Sequence, residues 1–100
     1  MQQNRTLSLL GLAKRAGKVV SGEFSVEKAV KSGTACLVLI AEDASANTKK
    51  NFTDMCTYYK VPIAFAGTKE TLGHAIGCEF RASAAVTDAG MAENIRKSIL

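Results

Sequence analysis

Apolar residues recur along this chain at two spacings, and the switching between them predicts five helices and four strands. Leu9, Leu12, Ala13 and Ala16 fall at i, i+3, i+4 and i+7. That is one face of a helix from Arg5 to Ala16, which Gly17 stops. Lys18-Val19-Val20-Ser21 is a short strand, and Gly22 opens a second helix that ends at Gly33, with Val26, Ala29 and Val30 as its inward stripe. Cys36-Leu37-Val38-Leu39-Ile40-Ala41 is continuously apolar and rich in branched side chains, the pattern of a strand covered on both faces. Glu42-Asp43-Ala44-Ser45 forms a turn that caps a third helix, Ala46 to Lys60, with Phe52, Met55, Cys56 and Tyr59 at helical spacing. Val61 to Ala66 is a strand with Pro62 at its start, where a missing N–H is tolerated. Thr68 caps a short helix ending near Gly77, Ala82 to Thr87 is the last strand, and Asp88 to Leu100 the last helix. This alternation predicts the α/β class. A small mixed four-stranded sheet has helices on both faces, a three-layer α-β-α sandwich, in one domain over residues 1–100.

Composition narrows the class further. With 100 residues, 47% of them hydrophobic and only 22% charged, the chain has material for a core and no apolar run near the roughly 20 residues of a membrane helix. Cys36, Cys56 and Cys78 are odd in number and widely spaced. They make neither a disulfide framework nor a zinc site, and a reducing, cytoplasmic setting is expected. Cys36 opens an apolar run and is expected to be a small buried hydrophobe. The net charge is +4, and its distribution says more than its size. Residues 1–33 hold Arg5, Lys14, Arg15, Lys18, Lys28 and Lys31 against Glu23 and Glu27. The rest of the chain balances seven basic with seven acidic residues. The whole excess therefore lies in the first third, as on a chain with one basic face.

Catalytic patterns fail on inspection. Five residues separate Gly11 from Gly17, where a Walker loop needs four, and Val19 follows Lys18 where a hydroxyl would hold magnesium. The lone His74 has no nucleophile or carboxylate partner in the pattern around it. Glu42-Asp43 ends the central strand, where carboxylates more readily hold the turn through side-chain to backbone hydrogen bonds than act in catalysis or metal binding. No catalytic residue, metal site or cofactor is expected.

One stretch does carry chemistry: Lys18-Val19-Val20-Ser21-Gly22-Glu23-Phe24-Ser25-Val26-Glu27-Lys28. Gly22 sits where a strand turns into a helix and allows close backbone approach. The helix N-terminus offers unpaired N–H groups and partial positive charge suited to a phosphate. Lys28 lies one to two turns in, Lys31 three residues further, and Lys18 precedes the turn. Phe24 is either a staple onto the core or a ring free to stack.

These residues are joined by Leu37 to Ala44, by Cys56 with Val61-Pro62-Ile63, and by Leu72-Gly73-His74-Ala75-Ile76-Gly77. In order and spacing they resemble the kink-turn-binding ribosomal protein superfamily of the L-seven-Ae and L-thirty-e type, and its bacterial YlxQ-like branch in particular. The resemblance implies binding of structured RNA, typically a kinked helix with an internal loop. The contacts would come from the N-terminus of the second helix and the loop before the last strand. In the kink-turn binders a short residue, then Asn and Glu, follow the Gly, with Lys three residues after the Glu. Gly22 and Lys28 match, and Glu23 holds the short residue's place. Phe24 and Ser25 stand for the Asn and Glu that read sheared G·A pairs, so the polar base code is largely lost. The second contact that the resemblance implies is the loop Cys78-Glu79-Phe80-Arg81-Ala82, where apolar groups meet an extruded nucleotide. Phe80 either stacks on a base or lies in the core, and Arg81 either pairs with phosphate or stacks as a plane, or is a solvated charge. The expected function is non-catalytic binding of rRNA or another structured RNA, with no DNA preference and no membrane. The alternative is a protein-interaction module, in which Phe24 or Phe80 anchors in a partner protein.

Overall fold

The central run Leu37-Val38-Leu39-Ile40 explains the architecture, because an extended strand sends alternate side chains to opposite faces and all four of these are fully buried. In a computed structural model, which describes the backbone of residues 2–99 and the side chains of residues 5–99, Leu37 and Leu39 enter one apolar cluster, Val38 and Ile40 another. Two cores need two layers of helices. The elements are α1 (Gln2–Arg15), β1 (Val19–Ser21), α2 (Glu23–Lys31), β2 (Leu37–Ile40), α3 (Ala46–Tyr59), β3 (Ile63–Phe65), α4 (Lys69–Ala75), β4 (Ser83–Val86) and α5 (Ala89–Ile99). Helices α1, α4 and α5 cover the Leu37 and Leu39 face through Leu10, Ala13, Leu72, Ile76, Ala92 and Ile95. Helices α2 and α3 cover the other through Val26, Ala29, Val30, Phe52 and Cys56. Each fully buried Leu or Ile contributes roughly 1.5–3 kcal/mol of transfer free energy.

The sheet is mixed, in the order β1-β4-β2-β3. β4 runs antiparallel to both neighbours, with Val86 opposite Val19 and Leu37, while β3 runs parallel to β2 with Ile63 opposite Val38. Hence the start of β1, the end of β4 and the starts of β2 and β3 share one end of the sheet. The end of β1, the start of β4 and the ends of β2 and β3 share the other. The α-β-α sandwich is the expected one, and the element ends move by up to three residues. α1 begins at Gln2, before Arg5, and Pro62 falls just outside β3, where its carbonyl accepts from the Val38 N–H at 2.9 Å. Leu100, expected to end the last helix, lies outside the described residues.

Two burial expectations are corrected. On α1 the inward residues are Thr6, Leu10 and Ala13; Leu12 is 53% exposed and Ala16 is exposed. Cys36 is only half-buried, one residue ahead of β2, where its N–H donates to the Val86 carbonyl at 2.7 Å. The buried thiol is Cys56 in α3, and burial pushes its pKa up to about 11, which keeps it a neutral core group.

Candidate nucleic-acid interface

At Gly22 the backbone adopts φ 91°, ψ 153°, a region essentially reserved for glycine, as β1 gives way to α2. Its N–H donates to the Ser83 carbonyl at 3.1 Å, one step beyond the β1–β4 ladder, so the α2 N-terminus is fixed against the start of β4. No side chain caps α2, which leaves its first-turn amides facing outward beside Glu23, Phe24 and Ser25, all exposed. Phe24 is 78% exposed and staples nothing. The inward stripe, Val26, Ala29 and Val30, is the expected one.

The loop before β4 arrives at the same end of the sheet. The Arg81 Nε–H donates to Ser21 Oγ at 3.1 Å, and the Arg81 backbone N–H to the Lys69 carbonyl at 3.0 Å. Arg81 Nη1 also donates to the Phe80 carbonyl at 2.8 Å. Ala82 is half-buried against the α2 and α3 core, and its carbonyl accepts from the Ala41 N–H at 2.9 Å. Phe80 is 62% exposed and is not a core residue. Gly22, Glu23, Phe24 and Ser25 are thus brought to one end of the molecule with Phe80, Arg81 and Ala82. Two phenyl rings project there from a rigid base.

The lysines are placed differently. Lys28 is exposed and, among the described residues, has no ion pair. Lys31, at the far end of α2, pairs with Glu27 at 2.7 Å, and that hydrogen bond and charge raise its pKa above the usual 10.5. Lys18 is four residues from Gly22, but the intervening chain is strand, so the two are about 13 Å apart at opposite ends of β1.

Three positioning residues had weak signals in the sequence. Ser21 anchors Arg81. Asp43 Oδ1 accepts from the Lys69 N–H at 2.7 Å, so Asp43 in the predicted turn fixes the start of α4. Gly73 packs directly under the loop: a Cβ there would lie 2.7 Å from the Glu79 carbonyl oxygen. Its signal was a glycine inside a helical pattern, which marks close backbone approach.

Comparison with known proteins bears on what this end of the molecule does. Residues 4–96 match the ribosomal protein L7Ae/L30e/S12e/Gadd45 family. The chain belongs to that family. Among curated relatives in the L7Ae family, the RNA-binding protein YlxQ of Bacillus subtilis (strain 168) is 53% identical over 87 residues, 87% of each chain. The large ribosomal subunit protein eL8 of Cenarchaeum symbiosum (strain A) is 33% identical over 98 residues, 97% of this chain and 78% of that protein. Among solved structures, a Bacillus halodurans protein of unknown function superimposes with a TM-score of 0.91 at 41% identity, covering 94% of this chain and 95% of that one. The Giardia lamblia 15.5kD RNA binding protein superimposes at 0.84 with 25% identity, covering 99% and 89%. The α-β-α architecture is therefore that of the L7Ae family; the Bacillus subtilis and Giardia proteins are named as RNA-binding and the Cenarchaeum one as ribosomal.

Proposed function

We propose that this protein binds structured RNA without catalysis, through the α2 N-terminus and the loop before β4. The observation that carries the reading is the joining of these two segments. Gly22 is fixed to Ser83 and Arg81 to Ser21, and two exposed rings, Phe24 and Phe80, stand on that base. Family membership and the names of the relatives support it. Unpaired bases are commonly held by stacking on aromatic rings, while helix amides and lysines take phosphates. Lys28 is placed to act in this way, as is Arg81 Nη2, its Nε–H being held by Ser21 and its Nη1 by the Phe80 carbonyl. rRNA and other RNAs with a kink or internal loop are the substrates of choice, and the site of action is the cytoplasm.

Filter binding to a kinked internal-loop hairpin, a plain hairpin and a duplex at several salt concentrations tests the reading. If four to six phosphates are neutralised, log affinity falls with log salt at a slope of roughly −3 to −5. Lys28→Ala weakens binding to all three RNAs and flattens the slope by about 1. No RNA bound at low salt, or a flat response, ends the proposal and leaves the protein-partner alternative.

A second test concerns base readout. Phe24 offers no hydrogen bond to a base edge and Ser25 one short group, so preference for sheared G·A pairs is weak. Introducing Phe24→Asn with Ser25→Glu supplies that code, and each good base contact is worth about 1–3 kcal/mol. The double variant is expected to raise preference for the kinked hairpin over the plain one by roughly tenfold or more. An unmoved ratio in paired titrations shows that these two positions do not face the bases.

A further inference from the structure

The first third of the chain carries the whole charge excess, yet the fold sends most of it away from Gly22. Lys14 and Arg15 end α1, Lys18 precedes β1, and Lys60 follows α3. By strand direction and register, all four belong to the end of the sheet where β1, β2 and β3 begin. The first three are held by the turn at Gly17. The Lys18 N–H donates to the Ala13 carbonyl and the Gly17 N–H to the Lys14 carbonyl, both at 2.9 Å, a Schellman closure. Among the described residues none of the four has an ion pair. Asp88, at the same end, is occupied by the Met91 N–H at 2.9 Å. The opposite end, around Gly22, mixes both signs: Glu23, Glu42, Asp43, Glu70 and Glu79 stand there with Lys49, Lys69 and Arg81, and the start of α1 and end of α5 add Arg5, Arg96 and Lys97.

Complementing the α1 macrodipole explains part of this clustering, since a helix C-terminus carries about half a negative charge. It does not explain Lys18, outside the helix; Lys60, at the far edge of the sheet, stands apart from the other three. Like charges gathered without partners cost stability, and a polyanion relieves that cost.

We infer that Lys14, Arg15 and Lys18 form a second phosphate-binding surface, which takes the backbone of an RNA duplex segment separate from the one at Gly22. The inference rests on the RNA-binding reading above and adds a second contact to it. The two surfaces are about 13 Å apart along β1, more than the Debye length of about 8 Å at physiological salt, so they act as distinct sites. The protein then joins two RNA segments. At the basic surface the contact is to phosphates and is indifferent to sequence.

The test uses the full-length protein, a short kinked hairpin and a plain RNA duplex, labelled as donor and acceptor. The wild type is expected to bind both and give energy transfer between them. Lys14→Gln with Arg15→Gln and Lys18→Gln lies on exposed positions and preserves the circular dichroism spectrum. It abolishes energy transfer, lowers duplex affinity more than tenfold and flattens the duplex salt slope by about 2–3, while hairpin binding that depends on Phe24 and Phe80 persists. Wild-type levels of duplex binding in the triple variant overturn the second surface alone, as does an equal loss of hairpin and duplex binding. Absence of any RNA binding by the wild type overturns both readings. Competition by an acidic polypeptide but not by duplex assigns the surface to a protein and also overturns the proposal.

Discussion

Truncating both rings, Phe24→Ala with Phe80→Ala, is expected to weaken binding to the kinked hairpin by roughly 30- to 1000-fold and leave the fold intact. Base stacking on an aromatic ring is worth about 1–3 kcal/mol per base, so two rings account for about 2–4 kcal/mol at the lower end of that range. At 78% and 62% exposure neither ring contributes much to the core, and thermal stability should move by no more than about 0.5 kcal/mol. Tyr58 is the control, because it is as exposed, 77%, but lies near the C-terminus of α3, towards the other end of the sheet. Tyr58→Ala should leave the hairpin affinity where it was. Phe24→Tyr and Phe80→Tyr keep a ring and should bind nearly as wild type. A double alanine variant with full affinity would mean that RNA, if bound, sits elsewhere. The two single variants complete a cycle. Near-additive losses mean that each ring holds its own base, and a large coupling means that one base lies between them.

Much of this was legible from residue pattern alone, and the misses have identifiable physical causes. Leu37 to Ile40 read as a strand covered on both faces because four consecutive apolar residues suit no half-solvated surface, and all four are buried. On α1 the stripe was displaced, because Leu7, Leu9, Leu10 and Leu12 surround the helix and several registers fit the spacing equally. The deciding residue was Thr6, a polar side chain that looks solvent-facing. It is buried because its hydroxyl meets that of Ser98, 92 residues away, at 2.6 Å. No local pattern carries such a partner. Charge was misleading for a related reason. Lys18 and Gly22 are neighbours in sequence, but extended chain between them converts four residues into opposite ends of a sheet. The rings were legible as alternatives only, since an aromatic residue at a helix start packs or projects according to what lies behind it. Phe24 projects because the buried stripe of α2 is Val26, Ala29 and Val30, from which it is turned away.

A single methyl group added at Gly73 would strike backbone, where no side chain can swing aside. Gly73 lies in α4, and a Cβ built on it falls 2.7 Å from the Glu79 carbonyl oxygen, 2.9 Å from the Glu79 carbonyl carbon and 3.0 Å from Phe80 Cα. All three are backbone atoms, so no rotamer change relieves the contact. The segment is also tied from within, the Gly73 carbonyl accepting from the Cys78 N–H at 2.8 Å and from the Ile76 N–H at 3.1 Å. Gly73→Ala must therefore push the loop from α4. Alanine's better helix propensity returns up to about 1 kcal/mol, against an overpacking cost of typically 1–3 kcal/mol, and the rigid backbone contact decides the sign. We expect a net destabilisation of about 1–2 kcal/mol, with each kcal/mol lowering Tm by about 4–8 °C in a domain of this size. RNA affinity, measured well below that Tm, should fall about tenfold because Phe80 and Arg81 move off their base. The decisive comparison repeats Gly73→Ala in a Phe80→Ala background. If glycine acts by placing the ring, most of its effect on affinity disappears there while its effect on Tm remains. An undiminished loss of affinity would show that Gly73 supports the interface through some other part of the loop.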